Sequence, residues 1–269
     1  MRNLLKILAV AVAVALIAGI LFTADAFLGN PVSYALVYFN AKKYIQTTYP
    51  DADYQLDRVS YSFKFGDYYA YVKSPTKQDE HFTVTFNGLG QVEKDYYETY
   101  VSGKGNLRAR LKDTYYNLTN EAFSEMDINS LYATLIFQTE GVKGYTPHAQ
   151  AYVMKDIANN TAEYVKEMGQ YNGSIEISMK AQDVSMELLA EKLLDVKALA
   201  DEKDVQFYTI SLTLFKEGEN RSEIYVRYFQ YEDIYEEGLV ERVQKSHEDY
   251  LKILEEERKE KEELKNAQV

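Results

Sequence analysis

The 269-residue sequence contains no cysteine and no tryptophan. Without cysteine, the chain can form no disulfide, thiolate zinc site, iron–sulfur cluster or cysteine nucleophile. Its three histidines, His81, His148 and His247, are too few for a histidine-rich metal site. The lack of tryptophan argues against a sugar-binding cleft. We therefore expect no cofactor and no metal site, and the sequence identifies no catalytic residue.

Basic residues are also scarce. Lysine and arginine total 30 against 42 aspartates and glutamates, which gives a formal net charge of -12. A chain of this charge repels a phosphate backbone. We expect no nucleic-acid partner.

One long apolar run lies near the N-terminus. Residues 7–22 carry no charge, and Arg2 and Lys6 precede them. This length is close to the ~20 residues that span a bilayer, and the preceding cations place the N-terminus in the cytoplasm. Ala24-Asp25-Ala26, however, is an A-x-A triplet that a signal peptidase could cut after Ala26. Residues 1–28 are thus a single-pass anchor or a cleaved signal segment, and a buried helix of a soluble domain is a third interpretation.

The next part of the chain, residues 30–125, reads as one domain with a helix, antiparallel strands and a second helix. Pro31 is typical of a helix N-terminus, and Pro50 stops the helical spacing. Alternating apolar residues then predict strands over 59–65, 68–73, 82–86 and 91–96. Apolar spacing over 107–118 predicts the second helix.

Residues 126–237 form a second predicted α+β domain, and 238–269 form a charged C-terminal helix. Strands are expected over 131–138, 175–179, 208–214 and 224–228, with a loop at 141–147 and a turn at 216–221. A short helix is expected over 161–168, and Ser185 can cap a longer one over 186–200. The predicted fold class is α+β: a membrane helix, two small domains with antiparallel sheets and covering helices, and the charged helix.

Three stretches carry a family resemblance: Ala41–Pro75, Asp183–Ile210 and Tyr231–Val243. Together they resemble the YfjL-like family of membrane-anchored or exported Bacillota proteins, over residues 29 to about 250. The resemblance implies a Gram-positive cell-surface setting and a two-part extracytoplasmic region. It implies no activity and assigns no site residue.

Tyrosine is abundant, at 25 residues, and acidic and aromatic residues alternate just before the last helix. The segment includes Tyr231, Glu232, Asp233 and Tyr235. Exposed tyrosine beside acidic residues suits a protein-binding surface, because the ring offers rigid area with a polar tip. We therefore select these four residues as a candidate partner contact. The other interpretation is a loop that docks the last helix on the second domain.

The function expected from these features is that of a non-catalytic, membrane-tethered extracytoplasmic protein that works through protein contacts or as a structural module. The alternative is a secreted or membrane-anchored hydrolase that uses carboxylates. A third interpretation, by fold analogy alone, is an inhibitor of a secreted protease. A deep pocket with converging carboxylates would favour the hydrolase.

Overall fold

The computed structural model describes residues 2–137, 161–218 and 223–266. Contacts divide the chain into two compact units, residues 1–108 and 109–269, called unit 1 and unit 2 below. The predicted loop at 141–147 and His148 lie outside the described residues. The predicted turn at 216–221 is described only as far as Gly218.

Unit 1 begins with two helices, α1 (Arg2–Leu28) and α2 (Pro31–Thr48). The side chain of Asn30 caps α2 by accepting hydrogen bonds from the amides of Val32 and Ser33, with Pro31 in the first turn, as the sequence predicts. One face of α2 buries three apolar residues against the first sheet. They are Val37, Ala41 and Ile45.

The first sheet is an antiparallel meander in the order β1-β2-β3-β4. Its strands are β1 (Gln55–Ser62), β2 (Asp67–Lys73), β3 (His81–Phe86) and β4 (Val92–Asp95). Its core side chains and those of α2 form one cluster, with Ala70 of β2 paired to Val59 on one side and to Val84 on the other. A short π-helix (Glu98–Ser102) and the start of α3 (Gly105–Ala122) follow.

The prediction that the first strand runs through Phe65 is wrong. β1 ends at Ser62, whose carbonyl accepts hydrogen bonds from the amides of Phe65 and Gly66. Gly66 has φ +76°, a conformation that glycine adopts without steric cost. This turn takes the last two aromatic residues of the alternating pattern, Phe63 and Phe65, out of the sheet.

Unit 2 contains a second four-stranded sheet in the order β5-β6-β7-β8. Its strands are β5 (Ser130–Leu135), β6 (Gly173–Ala181), β7 (Thr209–Lys216) and β8 (Glu223–Gln230). Its other helices are α4 (Thr161–Asn172), α5 (Met186–Glu202) and α6 (Leu239–Asn266). The side chain of Ser185 caps α5 by accepting a hydrogen bond from the Leu188 amide, as predicted.

The expectation of purely antiparallel sheets is wrong for unit 2, because β6 and β7 are parallel. Two parallel strands need a crossover connection, and α5 lies in the connection between β6 and β7. Both faces of β7 are buried from Thr209 to Leu214, which is typical of a strand covered on both sides. The second sheet is therefore mixed, with β5 and β8 antiparallel to their neighbours.

The division between the units falls inside α3, between Arg108 and Ala109. Within unit 2, Tyr115 of α3 is 1% exposed, and its hydroxyl donates to the Gln206 carbonyl at 2.9 Å. The compact units thus divide at a different place from the predicted boundary at 125/126. Independent folding of the domains 30–125 and 126–237 stays a prediction.

Candidate functional site

The predicted acidic and aromatic segment begins as a single 3-10 turn, Tyr231–Asp233, directly after β8. The Tyr231 ring packs edge-on against Phe207, with 5.0 Å between centroids. Lys197 of α5 places its ammonium 3.4 Å from the ring centroid, and the Tyr231 hydroxyl donates to the Asp201 carboxylate. Burial and this hydrogen bond raise the pKa of Tyr231. Tyr231 is therefore part of the packing between β8 and α5.

The rest of the segment is held by Arg242 of α6. Its guanidinium donates to the carbonyls of Tyr235 and Glu237 at 2.6 Å each, and to the carbonyl of Asp233 at 3.1 Å. The same group lies over the Tyr235 ring, 3.6 Å from its centroid. These contacts attach the segment to α6, as expected for a loop that docks the last helix. That loop was the other interpretation of this segment in the sequence.

The four candidate residues consequently differ in what they offer to a partner. Tyr235 is 50% exposed and Glu232 is exposed, whereas Tyr231 and Asp233 are half-buried. The structure brings Tyr231 against α5 and Tyr235 against α6, so the two rings do not form one surface feature. A partner contact at this segment stays a prediction, and it rests on Tyr235 and Glu232.

Two of the clefts formed by the described residues contain carboxylates that a hydrolase could use. The first, in unit 1, has a volume of about 360 Å³ and includes Asp57, which pairs with Lys73 at 2.5 Å and with Arg58 at 3.6 Å. Arg58 also covers the Tyr71 ring at 4.2 Å. The hydrogen bond from Lys73 lowers the pKa of Asp57. This carboxylate stays ionised, so it suits an ion pair better than general acid catalysis.

The second cleft, in unit 2, has a volume of about 350 Å³ and contains Asp233 and Asp249 together with cations from β8 and α6. A hydrogen bond from Lys252 at 2.9 Å lowers the pKa of Asp249. Tyr228 in the cleft wall has φ +50°, in the left-handed region, beside an irregularity in the β7–β8 register between Ile210 and Leu212.

Among the described residues, no group of three or more His, Asp or Glu side chains has the arrangement of a metal site.

The tyrosines of unit 1 form an aromatic cluster whose hydroxyls end on two carboxylates. Tyr44 and Tyr49 both donate to Asp95 Oδ2, at 2.8 and 2.7 Å, and Tyr54 donates to Glu80 Oε2 at 2.8 Å. Burial, followed by these hydrogen bonds, raises the pKa of all three phenols. Part of the tyrosine content that suggested a binding surface thus has a packing role, and the sequence did not reveal Asp95 and Glu80 as the acceptors.

A different surface of unit 1 is apolar and exposed. Val32, Leu36 and Phe39 lie at positions i, i+4 and i+7 of α2, away from its buried face, and are 69%, 43% and 68% exposed. Leu89, at the tip of the β3–β4 turn, is 73% exposed. Asn40 holds this turn against α2 by donating to the Gly90 carbonyl at 2.8 Å. We call these four residues the α2 outer face, which the sequence reasoning missed although its helical spacing was readable.

The end of α1 contacts the turn between β1 and β2. Phe27 and Phe63 have ring centroids 5.9 Å apart, and the Tyr61 hydroxyl donates to the Ala26 carbonyl at 3.3 Å. Gly29 has φ +80°, and a Cβ there would lie 2.7 Å from Tyr61 Cγ, so this approach requires glycine. The last turn of the apolar helix is thus attached to the folded part of unit 1.

These features define the class of protein: a mixed α+β chain in which an N-terminal apolar helix precedes two four-stranded sheets in the sequence. That helix is long and apolar enough to cross a membrane, by length and composition, and a signal sequence meets the same criterion. The model of the YfjL-like N-terminal domain matches residues 4–96, and the model of the YfjL-like C-terminal domain matches residues 117–244. The chain therefore belongs to the YfjL-like family, as its sequence suggested. No curated protein and no solved structure matches it.

Proposed function

We propose that this chain is a membrane-tethered, extracytoplasmic protein that acts by binding another protein at a Gram-positive cell surface. The observation that supports this most directly is the α2 outer face. Exposed, contiguous apolar surface on a folded unit is typical of interaction sites, because it costs solubility without contributing to the core.

The helix α2 has apolar residues on two opposite faces. One face packs on the first sheet through Val37, Ala41 and Ile45, and this burial accounts for the fold. The other face exposes Val32 and Phe39, which have no part in that core. A second apolar stripe beyond what packing needs favours a partner surface.

The turn that carries Leu89 is ordered by its own hydrogen bonds. Asn87 Oδ1 accepts from the amides of Leu89 and Gln91, each at 3.0 Å. With Asn40 bonded to Gly90 as well, contacts within unit 1 hold Leu89 beside α2. A preformed apolar surface loses little conformational entropy on binding, which favours specific protein contact.

The proposed topology places the N-terminus in the cytoplasm, since Arg2 and Lys6 flank the apolar run on that side. The hydrogen bond from the Tyr61 hydroxyl to the Ala26 carbonyl supports an uncleaved anchor, because cleavage after Ala26 would remove this acceptor. Secretion after that cleavage is the alternative topology. In unit 2, Tyr235 and Glu232 are proposed as a second, smaller contact.

Site-specific photo-crosslinking in intact cells tests the proposal. A benzophenone amino acid at Phe39 should capture one recurrent protein, and Leu36→Asp in the same chain should abolish the capture. The matched control is the same photo-crosslinker at Tyr132 of β5, which is 55% exposed on unit 2 and should give no such product. Equal capture at both positions would contradict the assignment of the α2 outer face.

The hydrolase alternative is tested separately. Asp233→Asn and Asp249→Asn remove the charge of the two described carboxylates that share a cleft. If either stably folded variant reproduced the phenotype of a deletion, with its surface abundance unchanged, the hydrolase would replace the binding protein. We expect both variants to retain function.

A further inference from the structure

The turn between β1 and β2 exposes two phenylalanines on a hydrogen-bonded backbone. Phe63 and Phe65 are 67% and 63% exposed, and the turn is closed by backbone hydrogen bonds to Ser62 and by the left-handed Gly66. Those bonds do not depend on the phenyl rings. The exposed rings therefore have no role in forming the turn.

The same turn lies beside the last residues of the apolar helix. Phe63 contacts Phe27, and the neighbouring Tyr61 bonds to Ala26. Both Phe27 and Leu28 are themselves exposed, at 62% and 79%. The apolar surface of α1 thus continues from its own last turn onto the β1–β2 turn.

The length of α1 gives the depth of this surface in a bilayer. The hydrocarbon core is about 30 Å thick and takes about 20 helical residues. Counting from Ile7, the first residue after Lys6, the uncharged run ends at Ala24, and Asp25 marks the outer edge of the hydrocarbon core. Phe27 then lies in the outer headgroup region, and Phe63 shares its level because the two rings are in contact.

Lys64 separates the two phenylalanines, and its ammonium lies 5.2 Å from the centroid of the Phe65 ring. Lysine at this level can lay its alkyl chain along apolar surface while the ammonium reaches lipid phosphates. An aromatic pair with a cation between them is the chemistry of the membrane–water interface.

We propose that the β1–β2 turn inserts Phe63 and Phe65 into the boundary between headgroups and acyl chains of the outer leaflet, next to α1. The occupant of this apolar surface is lipid. This inference rests on the membrane tethering proposed above and adds a second point of attachment. Unit 1 is then held against the bilayer by its turn as well as by the chain leaving α1.

The absence of tryptophan makes the test direct, because one introduced tryptophan is a unique fluorescent reporter. Three full-length variants are compared: Phe65→Trp at the turn, Leu16→Trp in the middle of α1, and Gln78→Trp. Gln78 is the matched control, since it is exposed in the loop after β2, about 20 Å from the turn along that strand. Each variant is reconstituted in phosphatidylcholine vesicles without brominated lipid, with lipid brominated high on its acyl chains, and with lipid brominated near the ends of those chains.

Quenching of Leu16→Trp by the lipid brominated near its chain ends and of Phe65→Trp by the lipid brominated high on its chains, with Gln78→Trp unaffected, would support the inference. Quenching of Leu16→Trp alone would overturn it and leave the tether intact. If no variant is quenched, the result contradicts both the membrane tethering by α1 and the insertion of the turn. A photo-crosslinker at Phe65 that captures a protein in intact cells, while Phe65→Trp is not quenched, would replace lipid by a protein partner. Thermal unfolding of each variant confirms that the fold is retained.

Discussion

Tyr68 and Asn30 form a two-way hydrogen bond between a side chain and a backbone. The Tyr68 hydroxyl accepts from the Asn30 amide at 2.8 Å and donates to the Asn30 carbonyl at 3.2 Å. Tyr68 belongs to β2 and is 2% exposed, while the side chain of Asn30 caps α2. The buried hydroxyl of Tyr68 therefore attaches Asn30, which lies between α1 and α2, to the first sheet.

Removing that hydroxyl should destabilise unit 1. Tyr68→Phe deletes both hydrogen bonds, each of which contributes about 1 kcal/mol, so the free energy of unfolding should fall by about 1–3 kcal/mol. Urea denaturation of the two proteins measures the difference. Tyr34→Phe, at a residue of α2 that is 43% exposed, is the control and should change stability by less than about 0.5 kcal/mol. If the free energy of unfolding of Tyr68→Phe were unchanged, water would have replaced the hydroxyl as the partner of the Asn30 amide and carbonyl.

Stability should decline in alkaline solution. Tyr44, Tyr49 and Tyr54 have a raised pKa in the folded state, through burial and then through their bonds to Asp95 and Glu80. The folded state therefore keeps protons that the unfolded state loses above about pH 10, and stability, complete below that pH, falls as the pH rises above it.

Urea midpoints between pH 8 and 11 measure this decline. Tyr49→Phe should flatten it, because one proton-linked group is removed. Tyr132→Phe, at an exposed position of β5, leaves the three clustered tyrosines intact and is the control. A slope that is the same in all three proteins would exclude the aromatic cluster as its source.

The boundary of the second domain can be tested with two fragments. Residues 126–266 lack Leu111 and Tyr115, which are 0% and 1% exposed in unit 2, so this fragment should unfold without cooperativity. Residues 105–266 restore α3 and should give a sigmoidal urea transition and dispersed amide spectra. Cooperative unfolding of 126–266 with the same midpoint would place the boundary at 125/126, as the sequence predicts.

Tyr231 and Tyr235 should respond differently to truncation. Tyr231→Ala loses its packing on Phe207 and Lys197 and should cost about 2 kcal/mol or more. Tyr235→Ala loses an exposed stacking contact with Arg242 and should cost about 1 kcal/mol or less. Melting temperatures measure both effects. A functional loss in Tyr235→Ala at unchanged stability would identify a partner contact, whereas strong destabilisation by that change would make the residue structural.

The proposed anchor predicts the effect of a charge in the middle of α1. Leu16→Arg should cost about 2.5–3.5 kcal/mol at the centre of an inserted helix and should reduce the membrane-bound fraction. Leu251→Arg, on α6, is the control for added charge and should fractionate as the unmodified chain does. Cell fractionation with N-terminal sequencing provides the readout. Mature protein in the medium beginning at Phe27 would show a cleaved signal instead.

Most helices and strands could be predicted because their local patterns agree with their environment. Phe82, Val84 and Phe86 alternate on a strand with one face in the core, and Ser185 is a capping residue at the start of an apolar stripe. The direction of β7 could not be predicted in the same way. Thr209, Ser211 and Thr213 gave it the alternation of a half-exposed strand, yet all three are buried. Because these buried residues are small and polar, the sequence did not show that the second face of β7 is buried. It therefore did not show the parallel pairing of β7 either.

The candidate site was predicted less well, for a related reason. Phe63 and Phe65 continue the period of β1 past its end, so the sequence alone gave them a place in the sheet. Tyr231 and Tyr235 appear as one group in the sequence, but the loop turns between them and Arg242 holds its carbonyls. Tertiary contacts from α5 and α6, which local spacing does not encode, decide how far the Tyr231 and Tyr235 rings are exposed.

The strand orders of the two sheets also imply an order of folding. Every pairing in the first sheet joins strands that are consecutive in the chain and have no helix between them. In the second sheet, β6 pairs with β7, and the whole of α5 lies between these two strands in the chain. Folding slows as contacting residues become more distant in sequence. In the proposed topology the residues after α1 cross the membrane first. The chain would therefore complete its first sheet once Asp95 has crossed, while β7, with which β6 pairs, is still on the other side of the membrane.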